Sequence, residues 1–375
     1  MRRGVGAVFL VLCGVMLAGF AQDASLTMWT FPEPDHGAND LKIADDGTIY
    51  LAFYEGMAIG RFDPKDDTLV EWALESSPDS LVLTEYGIFY TLPMMTRLGF
   101  LDPDRTYTLE WLTPEADPRS LVAASSGPGL VNLYLAERAF GRIAAFEPAT
   151  IEFRSLAGVD RVPVALDAVT TWVAPAAATA TVESYPAPDG WSPAVIELAE
   201  TEEGAFREWS VDLGGMDLSI DDVALGGDGG IWYAQGLAAA LGVVVPWDSL
   251  GVVYPLPDGL DVAAVAAAPD ESIWFADIVG RCHLGRLDPG SGDVTLWEIP
   301  LNALQPISFV FDDAGRVWFS DREADAIFCL DSATGALRRW LLPAGTHPLT
   351  MGASEPGTFW FVSEGLNALG RLVAP

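Results

Sequence analysis

The sequence predicts an all-β fold, a single β-propeller of four-stranded blades, on three observations. An aromatic phrase returns about every forty residues, apolar strands flank each copy, and the two ends of the chain read as parts of one blade. The clearest copy, "SIWFADIVGRCHLGRLDPGSGDVTLWEIP" from Ser272 to Pro300, reads as three short strands with a turn after each of the first two. The copies centre on Tyr50, Phe89, Tyr134, Trp172, Trp232, Trp274, Trp318 and Trp360, with one stretched interval.

Taken from the N-terminus, Arg2 and Arg3 precede an apolar run from Val5 to Phe20, with small residues at Gly19 and Ala21. That is the pattern of a secretory signal peptide over residues 1–21, and the run is short for a membrane span. The propeller is expected over residues 22–375, opening with "LTMWTFPEP", an orphan outer strand d. The last copy stops at "ALGRLVAP" without a strand d, so the N-terminal strand should complete the final blade and leave no free edge at the seam.

Between these ends, inner strands a are read at "DLKIA", "DSLVL", "PISFV" and "PLTMG", and outer strands d at "LVEWAL", "TLEWLTP", "LWEIP" and "RRWLLP". Tight turns at "DDG", "GDGG" and "DDAG" join a to b, and no amphipathic helix of convincing length intervenes. The count is eight blades, or seven if the irregular fourth unit around Trp172 is not a true blade. There the b to c segment expands into the Pro- and Ala-rich stretch Ala174–Val195, a loop that is either a tolerated insertion or a cover over the channel.

Charge narrows the partners. With 53 acidic and 20 basic residues the formal net charge is -33, and Lys42 and Lys65 are the only lysines. Nucleic acid and anionic membrane surfaces are excluded, and stable membrane insertion is not expected once the leader is cleaved. The acidic surface serves solubility in an exported, secreted or periplasmic protein, or attracts cations. Cys282 and Cys329 sit four residues apart in the aligned repeats, too far along extended strands for a disulfide, and are read as buried thiols.

Candidate chemistry lies where the d to a and b to c connections open beside the channel mouth. Three residues after the aromatic stand Glu137, Gln235, Asp277 and Asp321, while Glu55 and Glu364 lie one or two residues later. Carboxylates converging there would suit a hard cation, Mg²⁺ or Ca²⁺; the alternative is solvated loop acids. His36 and His347 both occupy d to a connections, of blades that become neighbours on ring closure, and could serve as acid and base; His283, on strand c, reads as structural. There is no G-x-S-x-G elbow, P-loop or zinc cluster, and "GGDGG" around Asp228 is a hairpin turn.

With the phrases "IWFAD", "LGRLDPGSGDVTLWEIP", "VWFSD", "RRWLLP" and "FWFVSEGLNALGRL" laid out, the chain resembles the virginiamycin B lyase, or streptogramin lyase, family over nearly all of residues 22–375. The resemblance implies a propeller that opens cyclic depsipeptides by elimination at the ester, using Mg²⁺. It assigns His347 as general base and Glu364 as a metal ligand; beside it, the reading of the residues themselves offers His36, from the neighbouring blade, as acid or substrate ligand and Glu55 as a further metal ligand. Gly345 stands where the family has another metal-binding Glu, and Gln305 where it has a second His. Two functional readings follow: a cation-dependent lyase or hydrolase acting on an ester or lactone, or a non-enzymatic scaffold gripping a peptide, glycan or envelope protein. Either takes its small-molecule or peptide ligand at the channel mouth.

Overall fold

The computed structural model describes residues 3–4, 7–11, 14–17, 24–33, 36–113, 117–127, 130–138, 142–146, 195–200, 206–212, 220–235, 239–245, 250–257, 259–277, 283–299 and 306–374. Among the described residues all regular elements are strands apart from one short 3-10 turn at Pro93–Met95, and these strands build a β-propeller of seven blades, each on four antiparallel strands. Among the described residues the blades thus number seven, one fewer than the first count, and the reason lies in the stretched interval. Pro118–Gly127, Leu130–Glu137, Arg142–Phe146 and Phe206–Asp212 make one blade, whose strand d comes from beyond the insertion, with Val195–Glu200 added outside it. The phrase around Trp172 and the loop 174–194 lie outside the described residues.

The chain divides into two compact units. One contains that blade and three more: Leu81–Thr84, Gly87–Leu92, Arg97–Asp102 and Tyr107–Leu112; then Ile220–Leu225, Ile231–Gln235, Ala240–Val245 and Leu250–Pro255; then Val262–Ala267, Ile273–Asp277, His283–Leu287 and Val294–Glu298. The other holds Pro306–Phe311, Val317–Asp321, Ala326–Asp331 and Ala336–Leu341; the terminal blade; and Ala38–Ile43, Ile49–Phe53, Ala58–Asp63 and Thr68–Ala73. In every blade the strands run a, b, c, d antiparallel, so the a–b and c–d turns share one end of the sheet and the b–c and d–a loops the other.

The repeated phrase is a packing device. Strand b carries an aromatic two positions before its end, and strand c places a glycine beneath that ring: Tyr90 on Gly99, Tyr233 on Gly242, Phe275 on Gly285 and Phe361 on Gly370. A Cβ at any of these glycines would overlap the ring. One blade solves the problem differently, with Phe319 stacked on Phe328 at 5.2 Å and 10°. Burial of the rings pushes the Tyr90 and Tyr233 phenols well above their ordinary range, with Glu110 adding to the effect at Tyr90.

Strand a shifts register after its first pair in six blades, and in five of them a polar residue, Asp40, Ser120, Asp222, Ser308 or Thr350, stands at the shift. These side chains tie their own inner strands to the following ones. Asp40 accepts the N–H groups of Leu41 and Leu81, both at 2.8 Å, and Asp222 those of Val223 at 2.9 Å and Val265 at 3.0 Å. Ser120 donates to Asp222, Ser308 to the Met351 carbonyl and Thr350 to the Asn39 carbonyl.

The seam forms as the sequence predicts. Ser25–Thr30 pairs with Ala368–Val373 from Thr30 opposite Ala368 to Ser25 opposite Val373. Trp29 and Trp360 stack at 5.3 Å across this join, and the Arg371 guanidinium lies 5.3 and 5.4 Å from the two ring centroids. Residues ahead of it, read as a leader, contribute backbone strands Arg3–Gly4, Ala7–Val11 and Gly14–Leu17 to the outer edges of Tyr107–Leu112, Thr68–Ala73 and Ser25–Thr30. No helix among the described residues is long and apolar enough to cross a membrane. Cys329 is buried, and burial pushes its thiol up to about 11; Cys282 lies outside the described residues.

Candidate functional site

The seven b strands end, toward the b–c and d–a loops, on Phe53, Leu92, Glu137, Gln235, Asp277, Asp321 and Ser363, and all seven are buried. The reading of the polar members as solvated loop acids is therefore corrected. Several fasten the loops above them. Asp277 accepts the Asp261 N–H at 3.0 Å, and Asp321 accepts the Ala324 N–H at 2.7 Å. Ser363 donates to the Thr346 carbonyl at 2.6 Å and accepts from Leu366 N–H at 3.3 Å. A carboxylate or hydroxyl is needed there because loop N–H groups cut off from water cost about 1–3 kcal/mol each when unpaired. Gln235 is the exception: its amide is fully buried and makes no hydrogen bond among the described residues. Glu137, Gln235 and Asp277 belong to the first unit, and Asp321, Glu364, Glu55, His36 and His347 to the second.

In the second unit the connection Pro343–His347 enters the terminal blade. Asp325, from the preceding blade's b–c loop, clamps it with both oxygens, accepting the N–H groups of Gly345 and His347 at 2.7 Å each. His347 has a left-handed backbone, φ 45°, immediately before Pro348, where an extended conformation is normal. The same residue before strand a is left-handed at Gly37 (52°) and at Asp117 (67°), so this geometry belongs to the fold. The His347 side chain is half-buried, and its carbonyl accepts the Glu364 N–H at 3.3 Å. The structure thus brings His347 and Glu364 side by side.

Glu364, however, is already engaged. Its Oε2 accepts from Arg322 Nε at 2.7 Å and lies 2.6 Å from Arg322 Nη2. Both guanidinium nitrogens fall on this one oxygen, so the contact holds the carboxylate toward Arg322 without the paired-oxygen fork of a full bidentate bridge. Glu55 is exposed on the neighbouring blade, with its side chain folded over Gly37. No group of three or more His, Cys, Asp or Glu among the described residues is placed to hold a metal ion.

His36 is buried between Phe53, 4.3 Å away edge-on, and Glu71, whose Oε1 lies 3.1 Å from Nε2 without good hydrogen-bond alignment. Its carbonyl accepts the Gly56 N–H, and a side chain at Gly56 would meet the imidazole at 3.0 Å. Asn367 ties this connection to the terminal blade, accepting from Gly37 N–H at 3.3 Å and donating to the Glu33 carbonyl at 2.7 Å. His283 is half-buried on strand c. Gln305 lies outside the described residues.

Sequence reasoning missed Asp325, Arg322, Glu71 and Asn367. A signal existed for the first two: "DREAD" at Asp321–Asp325 packs four charges into a b–c loop where the neighbouring blades carry few. Glu71 sits inward on an outer strand, a position only tertiary packing marks.

Solved structures with the same fold were found by comparison of coordinates. Virginiamycin B lyase from Staphylococcus aureus, as its selenomethionine form, covers 94% of this chain and 100% of its own at 15% identity, with a TM-score of 0.71. A streptogramin B lyase covers 94% of this chain and 98% of its own at 15% identity and TM-score 0.70. Kuenenia stuttgartiensis hydrazine synthase covers 92% of this chain and 97% of its own at 10% identity and TM-score 0.64. No protein-family model matches the chain, and no curated protein matches it in sequence. At these identities the likeness is one of fold.

Proposed function

We propose that this β-propeller is an exported binding scaffold, and that the loop end around His347 and Glu364 acts by gripping a peptide or small-molecule ligand without chemistry. The observation that carries this reading is the Arg322–Glu364 contact, which engages Oε2 of the carboxylate a metal-assisted elimination would need and partly neutralises its charge. It is supported by the burial of His36 against Glu71, which leaves that imidazole no open path to a substrate. Export rests on the N-terminal charge and apolar pattern, and cleavage after residue 21 would also remove the three outer edge strands.

A second reading, ester or lactone cleavage, is favoured by the half-buried His347 beside Glu364. Mass spectrometry of a type B streptogramin incubated with the mature protein and Mg²⁺ separates the two. The binding reading expects an intact ring, with the His347→Ala protein behaving identically. A linear product of unchanged mass, absent with His347→Ala, would establish elimination and sink the proposal, and a water adduct lost in that variant would establish hydrolysis.

A further inference from the structure

A cleft at the other end of the first unit, on the a–b and c–d turns, carries an unused polar group. It has a volume of about 530 Å³ and is lined by the Gly226–Asp228 turn, the Asp270–Ile273 turn and Arg286–Gly290, with Trp232 in its wall. That size falls in the range of small-ligand pockets.

In three blades the indole N–H of the central tryptophan is taken up by a side chain from its own a–b hairpin. Trp274 donates to Ser272 at 3.1 Å, Trp318 to Asp312 at 2.8 Å and Trp360 to Ser354 at 3.1 Å. Those acceptors stand two or six residues before the tryptophan, and before Trp232 both positions are glycine, Gly230 and Gly226. Trp232 is 1% exposed, and its N–H has no hydrogen-bond partner among the described residues. A Cβ at Gly226 would sit 3.0 Å from its Nε1 and 2.6 Å from Asp228 Oδ1, so the space a side chain would fill lies between the indole N–H and that carboxylate, in the wall of the cleft.

Around it stand Asp228, Asp270, Glu271 and Asp288. Arg286 pairs with Asp270 at 3.1 Å, leaving the wall a strong net negative charge. A ligand that fits must therefore offer an acceptor to the indole and donors, at least one of them cationic, to the carboxylates. We propose that this cleft binds a hydroxyl-bearing ammonium ligand, the chemistry of an amino sugar.

The test is titration of the mature protein with the β-1,4 disaccharide of glucosamine, read by calorimetry and by the Trp232 indole N–H resonance in a ¹H–¹⁵N spectrum. Controls are the N-acetylated disaccharide, which lacks the charge, and spermidine, which lacks the hydroxyls. Binding of the amine sugar at least about tenfold tighter than either control, with the indole peak moving, is the expected result. Gly226→Ser, which fills the space beside the indole and displaces the Asp228 carboxylate, should abolish it, and Glu271→Gln, which leaves that corner untouched, should weaken it about five- to tenfold. Should Gly226→Ser fail to fold, Glu271→Gln and the indole peak still decide. Equal binding of spermidine would reduce the site to bulk charge, and equal binding of the N-acetylated sugar would remove the ammonium. No binding, or an unmoved indole peak, overturns the proposal.

Discussion

Gly370→Ala tests the packing that makes the repeat. Gly370 lies directly opposite Phe361 in the strand register, and an added Cβ would overlap three atoms of a ring with no exposed surface. The ring would have to retreat by about an ångström into a close-packed blade, and overpacking of this kind costs about 1–3 kcal/mol, here toward the upper end. Loss of glycine flexibility in the unfolded chain returns about 0.4–1 kcal/mol, leaving a net loss of about 1.5–2.5 kcal/mol. For a chain of this length that is a fall in Tm of about 2–4 °C. Urea unfolding followed by tryptophan fluorescence measures it, with Gly227→Ala as control, since its nearest new contact is 3.8 Å away and its cost should be under about 0.5 kcal/mol. Phe361→Leu should relieve the overlap, so that the double variant is more stable than the sum of the singles by about 1 kcal/mol or more. Gly370→Ala as stable as the parent, or a strictly additive cycle, would refute the reasoning.

Asp312→Ala removes the acceptor for the Trp318 indole and the Arg316 Nε, and should lower stability by about 2–3 kcal/mol in the same urea assay. Burial alone would raise Asp312, but those hydrogen bonds win and hold its carboxyl below 3.8; the stability it contributes is present above about pH 4 and lost as the pH falls further, so Asp312→Asn should flatten acid unfolding between about pH 4 and 2. Burial, with the Asp228 charge added, pushes Tyr254 up to about 12, and Tyr90 and Tyr233 are raised as well. Their neutral forms favour the fold, so stability should fall as pH rises above about 10, and ultraviolet titration should show three late phenols that titrate early once the chain is unfolded. Asp325→Ala should free the 343–347 connection, read as faster hydrogen exchange at Gly345 and His347 with little change in global unfolding. The Cys329 thiol should resist disulfide reagents at pH 8 in the native protein and react on unfolding.

The blades, their strand order and the closing strand were legible in the sequence, because a period-two apolar pattern, a fixed turn chemistry and an aromatic–glycine pair each act over a few residues. Local rules also put His347 and Glu364 on facing loops of one blade. The blade count was not fixed in the same way, since the strand d after Arg142–Phe146 is supplied from Phe206–Asp212, about sixty residues further along a stretch that carries a repeat phrase of its own. Nor could sequence reveal that Arg322 reaches from one blade to engage Glu364 on the next, or that Glu71 meets His36. Those contacts join residues 42 and 35 positions apart whose distance is set only when blades and strands pack side by side. Gly226 and Gly230 show the same division: "GGDGG" announces a hairpin locally, but that the buried indole of Trp232 ends in the wall of an acidic cleft is decided by the neighbouring blade.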